Sequence, residues 1–374
     1  MKNRAGFIIG LVIVLAVLVG GAYAVIRVQS APTITTIKCV GGSEKTQLMA
    51  DPDVQRILAE KYQLAVEWKP QGSYDQVLQS ADQIRAQEYD CLWPSSASAQ
   101  NVFESTHRGE FGDYRALTVL QSPEVIYSGP QATEALTRAG LVRKEGDHYV
   151  ADLKTLLLEH IVTGDTWQKL QAGNLRGPIN ISSTDPARSN SGFTMAQLQI
   201  TIVATNDVTT PPTLEQARKA LPAMRKIYDA QGLQASSSEN GFRQWLTQGG
   251  EYQAPMYAGY ESQVIQLVAG GQTPSALQDV RIIYPEPTIY SDHPVLALSP
   301  EAFSFAEAMT DPEIQKLAWQ RYGFRSAVDP AAHNNIADFP DIPLADTFRT
   351  IPAPSGEVSL ALLTCLQDRS ACTP

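Results

Sequence analysis

The sequence predicts an α/β protein built on a parallel, doubly wound sheet, on three observations. Apolar strand-like runs alternate with helical runs, the pattern of successive βαβ units. The early strands end in small polar turns: Gly41-Gly42-Ser43, Pro70-Gln71-Gly72-Ser73 and Pro94-Ser95-Ser96. The 374 residues are enough for two compact lobes at roughly 100–200 residues per domain.

The first element is residues 5–26, an uncharged apolar run behind Lys2 and Arg4. About 20 apolar residues span a bilayer core, and the basic flank would keep the N-terminus inside. A cleaved signal peptide is the competing reading, since Ala22-Tyr23-Ala24 has small-residue cleavage character. Either way the rest of the chain is expected outside, in a cell-surface, periplasmic or secreted setting.

Ile34–Val40 alternates as a strand, and Gly41-Gly42-Ser43-Glu44-Lys45 turns it into a helix over about 45–62, broken at Asp51-Pro52. The Gly-Lys-Ser/Thr ending of a phosphate loop is missing. A second strand at Leu64–Trp68, a helix over 74–87 and a third strand at Tyr89–Trp93 follow. Leu117–Tyr127 reads as one long strand or two short ones leaving the first lobe, with helices near 131–139 and 153–163. Further on come a helix over 214–231, a shorter one over 241–249, and strand, turn and helix across 254–268. Strands at 280–285 and 291–298 precede two helices, 300–310 and 312–323, with Gly323 as C-cap. Residues 326–374 are Pro-rich, apart from a short helix near 356–366.

The most informative stretch is Ile179–Met195 with the amphipathic run behind it. It reads as a short buried strand, a polar turn through Asp185-Pro186, and a helix capped by Ser189, Asn190 or Ser191. A helix N-terminus offers unpaired N–H groups and positive potential, and Arg188 beside it offers a bidentate fork for an oxyanion. The plainer alternative is that the serines only cap the helix while Arg188 is solvated.

Charge excludes a nucleic-acid surface. The chain has 29 basic against 39 acidic residues, and without residues 1–27 the balance is 26 against 39; phosphate neutralisation needs a basic stripe. The four cysteines, Cys39, Cys91, Cys365 and Cys372, all follow the apolar run, an even count suited to an oxidising compartment. Of three connectivities, proximity favours Cys365–Cys372 and leaves Cys39–Cys91, with free buried thiols the alternative for the latter two. No CxxC or HxxxH spacing occurs, so no metal site is expected, and no cofactor.

The order of these elements resembles the type 2 periplasmic solute-binding proteins of ABC importers, in particular the phosphate, sulfate and molybdate branch. The resemblance covers about residues 34–325. It is carried by Gly41–Lys45, Pro94-Ser95-Ser96, the Arg188-Ser189-Asn190-Ser191-Gly192 turn, Gly259-Tyr260-Glu261-Ser262, Tyr284-Pro285, Asp292-His293-Pro294, and Ala306–Gln315 with Tyr322-Gly323-Phe324-Arg325. It implies two doubly wound lobes joined by a two-strand hinge, near 121–125 and 282–287. Lobe 1 would be 34–121 plus 288–374, and lobe 2 would be 122–287. It places ligand contact on Ser43, Ser95, Ser96, Arg188, Ser189, Ser191 and Tyr260. The implied function is capture of a small polar, oxyanion-like ligand for an ABC permease. The alternative is a membrane-anchored sensor or surface-complex subunit not coupled to import. Phe193 departs from the phosphate binders, which carry a small hydroxyl residue there, and the anchor departs from their lipid or free forms.

An enzyme is the rival class. Ser191, Asp292 and His293 supply the residue types of a triad, but no Gly-x-Ser-x-Gly elbow is present, and Asp292-His293-Pro294 reads better as a turn into a strand. The expectation is a binding protein.

Overall fold

The computed structural model describes residues 33–232, 234–271 and 275–373. The apolar run 5–26 lies outside them; among the described residues no helix is long and apolar enough to cross a membrane.

The fold is mixed α/β, with helices around one ten-stranded sheet. Its strands are β1 (Thr35–Gly41), β2 (Leu64–Pro70), β3 (Cys91–Trp93), β4 (Arg115–Ser128), β5 (Val142–Glu145), β6 (His148–Asp152), β7 (Met256–Tyr260), β8 (Arg281–Glu286), β9 (Tyr290–Ala297) and β10 (Arg325–Ser326). The order is β2-β1-β3-β9-β4-β8-β6-β5, with β7 and β10 also on β4. The helices of eight residues or more are α1 (Pro52–Tyr62), α2 (Ala97–Thr106), α3 (Pro130–Arg138), α4 (Asn190–Thr205), α5 (Leu214–Asp229), α6 (Ser238–Thr247), α7 (Glu261–Ala269), α8 (Pro300–Ala308), α9 (Pro312–Tyr322) and α10 (Gly356–Gln367).

The sheet is mixed rather than parallel. Parallel pairing is confined to β2-β1-β3 and β6-β8; β9, β7, β8 and β10 all run antiparallel to β4. The cause is β4 itself. Its first part, Arg115–Pro123, pairs with β9, and its last part, Glu124–Ser128, pairs with β7 and β8. Pro123 falls where the partners change, a position that tolerates a missing N–H. The chain comes back between β8 and β9, at 287–289. The pairings therefore form two half-sheets that share one strand.

Three further expectations change. Ile179–Ser182 makes only an isolated bridge, Ser182 to Tyr257, because the turn at 183–189 takes its backbone away from the sheet. The helix over 74–87 is two helices, Ser73–Val77 and Ala81–Ala86, since Ser80 and Gln83 form a capping box that restarts it. The hairpin β5–β6, turned at Gly146 with φ of 57°, lacked a clear alternation in Val142–Glu145 and escaped notice. Gly323 caps α9 in the left-handed region, φ 67°, as its sequence position implies.

Both disulfides form: Cys39–Cys91 joins neighbouring residues of β1 and β3, and Cys365–Cys372 closes the end of α10.

Glu124 is fully buried where β4 changes partners, and neither carboxyl oxygen has a hydrogen-bond partner. Burial pushes its carboxyl well above the usual range, so the folded state keeps a proton that the unfolded chain releases. Stability from this group is thus fully present below the ordinary carboxylate value and declines as pH rises above it. Glu124→Gln is expected to flatten that decline and raise the melting temperature more at pH 8 than at pH 5. Equal shifts at both would sink this reading.

Candidate functional site

The carboxyl ends of β1, β2, β3 and β7 open onto one cleft of about 230 Å³. It is lined by the 42–44 and 70–75 turns, Ser95, Arg188–Asn190, Ser236–Ser238 and Tyr260. Ligand sites of open α/β sheets form at such strand ends. Larger recesses occur beside Arg143 (about 310 Å³) and Tyr252 (about 450 Å³). Arg143, however, is already paired with Glu145 and Glu286.

Polar turns give the cleft its character. The Ser43 turn, the Ser73 helix and α4 have Gly42, Gly72 and Ser189 as N-caps, and none accepts a side-chain capping bond. The N-cap side chains leave these turns uncapped, although the Gly192 N–H in the first turn of α4 is taken by the Thr184 hydroxyl at 2.9 Å; the positive end of the α4 dipole favours an acceptor or anion. Gly42 is required by close approach: a Cβ there would sit 2.3 Å from both the Ser95 hydroxyl and the Glu44 carboxylate. Ser237 is different, since its hydroxyl caps α6 by accepting from the Asn240 N–H.

Beneath the cleft lies a buried polar cluster. Lys45 is fully buried, and its ammonium donates to Glu44 Oε1 (2.6 Å), Ser95 Oγ (2.9 Å) and His293 Nδ1 (3.0 Å). All three of its donors are used. Ser95 Oγ in turn donates to Glu44. Burial would raise the Glu44 carboxyl, but the Lys45 charge and the bonds from Lys45 and Ser95 hold it down to about 2. Burial and the neighbouring Lys45 charge keep His293 well below the usual imidazole value, hence neutral and able to accept from Lys45. Glu44 and Lys45 thus cancel in charge under the floor. The charged groups left to the cleft are Arg188 and Asp75, both exposed. The Arg188 side chain makes no hydrogen bond or ion pair with any described residue.

The predicted site residues fall into two groups. Ser43, Ser95, Arg188, Ser189 and Tyr260 all line this cleft. Ser95 and Tyr260 are nearly inaccessible, at 1% each, and their side chains are engaged: Tyr260 Oη accepts from Asn190 Nδ2 at 2.8 Å. Ser96 and Ser191 do not reach it. Ser96 Oγ caps α2 by accepting from the Ala99 N–H, and Ser191 Oγ bonds Thr184 Oγ1 at 2.7 Å. Phe193 turns inward, edge-on to Tyr74 with ring centroids 4.6 Å apart. The triad types are not assembled: Asp292 accepts from Gln121, and His293 faces Lys45 and Ser291.

Sequence reasoning missed Ser73, Asp75, Asn190 as a bridge, and Ser236–Ser238. Asn190 Nδ2 donates to the Ser95 carbonyl at 2.7 Å, so α4 reaches directly to the β3 turn. The run Ser236-Ser237-Ser238-Glu239 was a visible capping signal. Nothing local, by contrast, could have paired Lys45 with His293, 248 positions away.

No protein-family model matches the chain, and no curated protein does. Solved structures do match. The ferric binding protein from Campylobacter jejuni superposes with a TM-score of 0.56 at 13% identity, covering 89% of this chain and 98% of that one. A periplasmic thiamin binding protein gives 0.58 at 11% identity over 92% and 98%. A Trichodesmium protein solved with iron and citrate gives 0.50 at 10% identity over 90% and 99%. Identity this low speaks for architecture alone, and the architecture agrees over nearly the whole length of each. The chain therefore has the fold of the type 2 periplasmic solute-binding proteins.

Proposed function

We propose that this protein is an extracellular solute-binding protein that captures a small polar, anionic ligand in the cleft at the strand ends, for delivery to an ABC-type importer. The two half-sheets act as its two lobes, about 34–121 plus 288–374 and 122–287, joined where β4 and the 287–289 segment cross. The N-terminal apolar run, retained or cleaved, puts this binding domain outside the cell or in the periplasm. The observation that carries the reading is Arg188, an exposed residue lining the cleft whose side chain makes no hydrogen bond or ion pair with any described residue. Around it are hydroxyls and N–H groups from both half-sheets, which suit an oxyanion. Asp75, also exposed at the cleft, suits a ligand that also carries hydroxyl or ammonium donors. No role in catalysis is assigned to the buried Glu44–Lys45–His293 cluster; it shapes the floor.

The test is thermal shift of the protein against oxyanions, organic acids, phosphorylated sugars, amino acids and divalent metals. A ligand at 100 times its Kd stabilises by about 2.7 kcal/mol, seen as a melting shift of a few degrees. Arg188→Ala removes a charge-assisted contact of about 1.5–3 kcal/mol and should weaken binding roughly 10–150-fold, with the fold intact. Unchanged affinity in that variant would overturn the assignment of Arg188.

A second reading, a membrane-anchored sensor or surface-complex subunit uncoupled from import, has one observation in its favour. The Pro-rich C-terminal segment does not trail free but packs along both half-sheets, ending in a disulfide-closed helix. Silence across the ligand panel, with a folded protein, would favour it.

A further inference from the structure

The crossing between the half-sheets contains a third segment. Thr288, on the return path from β8 to β9, donates through Oγ1 to the Glu124 carbonyl of β4 at 2.6 Å. Its own N–H donates to the Arg349 carbonyl at 2.8 Å, and its carbonyl accepts from the Ile351 N–H at 3.0 Å. Residues 349–351 therefore lie beside the two crossing strands as a short parallel bridge, Thr288 to Thr350.

The chain then enters α10, which lies between elements of opposite half-sheets. On the β3 side it meets α2 at van der Waals distance. A Cβ on Gly356 would come within 2.8 Å of the Asn101 carbonyl and 3.1 Å of Ser105 Oγ, so only glycine allows the approach. On the far side, Arg225 of α5 donates to the carbonyls of Cys365 (3.3 Å) and Leu366 (3.0 Å). Gln197 of α4 donates to Ser359 Oγ at 3.1 Å, and Arg369 pairs with Asp229. Between the two faces, Val358, Leu362, Leu363 and Leu366 are buried in the same apolar cluster as Val102 and Phe103 of α2 and Leu221 and Met224 of α5. That cluster also contains Leu92 from one half-sheet and Ile126 and Ile283 from the other. A clamp whose lobes meet only at crossing strands would split its apolar core at the cleft; here the core is continuous behind it.

We propose that residues 349–373 are a strap that fixes the two half-sheets relative to each other, so that opening of the cleft is governed by α10. The physical basis is area: α10 buries an apolar face against both partners at once, and separating them exposes that face to water. The crossing strands by themselves absorb rotation through a few backbone angles, as hinges do. With the strap docked, rotation about them also has to peel α10 from α2 or from α5. Its C-terminal disulfide holds the last turn against Arg225 and Asp229. The proposal rests on the two half-sheets and not on the identity of the ligand.

The test uses the full chain with a protease site inserted between Pro354 and Ser355, so that the protein folds before the strap is cut. Nitroxides on Glu60→Cys and Glu134→Cys, exposed positions of α1 and α3, report the distance between the half-sheets without any ligand. The uncut protein is expected to give one narrow distance distribution. After cleavage and removal of α10, confirmed by mass, the distribution should broaden roughly twofold and extend to longer distances, the range of hinge motion. If the cut helix stays bound, Val358→Ala with Leu362→Ala in the same cleavable chain releases it. A narrow, unchanged distribution after α10 has left would overturn the strap, and so would a broad distribution in the uncut protein. Neither outcome bears on Arg188, which the binding assay tests separately.

Discussion

Replacing Arg325 by methionine is expected to destabilise the protein by about 3–5 kcal/mol, because it leaves the Glu261 carboxylate buried and without its counter-charge. Arg325 is only 3% exposed and Glu261 not at all. The guanidinium holds the carboxylate by two bonds, Nε to Oε1 at 2.7 Å and Nη2 to Oε2 at 2.9 Å, and gives a third to the Ala345 carbonyl at 2.7 Å. Tyr284 completes the shell through its hydroxyl. Burial disfavours the Arg325 charge, but Glu261 outweighs it and raises the guanidinium above its ordinary value, so it stays charged. Denaturant unfolding of Arg325→Met and of Glu261→Gln with Arg325→Met measures the effect. The double variant should recover a substantial part of the loss, since a neutral amide can remain buried where a lone carboxylate cannot. A single-variant cost below about 1 kcal/mol, the range of exposed pairs, would show that water reaches the site.

Lys45→Met is expected to be of similar size and to reverse a pH dependence. In the native protein Glu44 is held at about 2 against an ordinary 4.5. A carboxyl depressed on folding adds stability above its unfolded value, and that stability is lost as pH falls from about 4.5 towards 2. Without the ammonium, burial, the largest influence on Glu44, is opposed only by the Ser95 hydrogen bond and His293 and pushes the carboxyl up, so stability would instead fall as pH rises above the ordinary carboxylate range. Unfolding free energies at pH 4 and pH 7 decide it. The variant should lose about 3–5 kcal/mol at pH 7 and distinctly less at pH 4. An equal loss at both would mean that Lys45 matters only as a packed hydrocarbon stem.

How much of this was legible in the sequence depends on range. The small polar turns after β1, β2 and β3, the α4 N-terminus and the Gly323 cap follow from local rules, because glycine, proline and short hydroxyl residues act within a few positions. Arg188, Ser189 and Ser95 could be named as cleft candidates for that reason. What was not legible is what long-range packing decides. Ser191 has the same local chemistry as Ser189, yet it turns to Thr184, because Gly192 packs against the Thr184 backbone so closely that a Cβ would clash at 2.0 Å. His293 looked like part of a turn and is the buried acceptor of Lys45 within β9. The Pro-rich tail carried almost no periodicity because its apolar residues, such as Phe339, Ile342 and Leu344, fill gaps singly.

The shared strand also bears on the order in which the protein can assemble. Every strand that pairs with β4, namely β7, β8, β9 and β10, lies at least 128 positions further along, since Ser128 meets Met256. The centre of the sheet is therefore among the first segments synthesised and among the last satisfied. Loops this long must close before β4 gains a neighbour, which places the fold among the slow, high-contact-order topologies. Until then Val119, Leu120, Val125 and Ile126 present an unpaired apolar ribbon of the kind that associates between chains. Among the described strands, β1, β2 and β3, with their Cys39–Cys91 link, and the local β5–β6 hairpin can settle before that point.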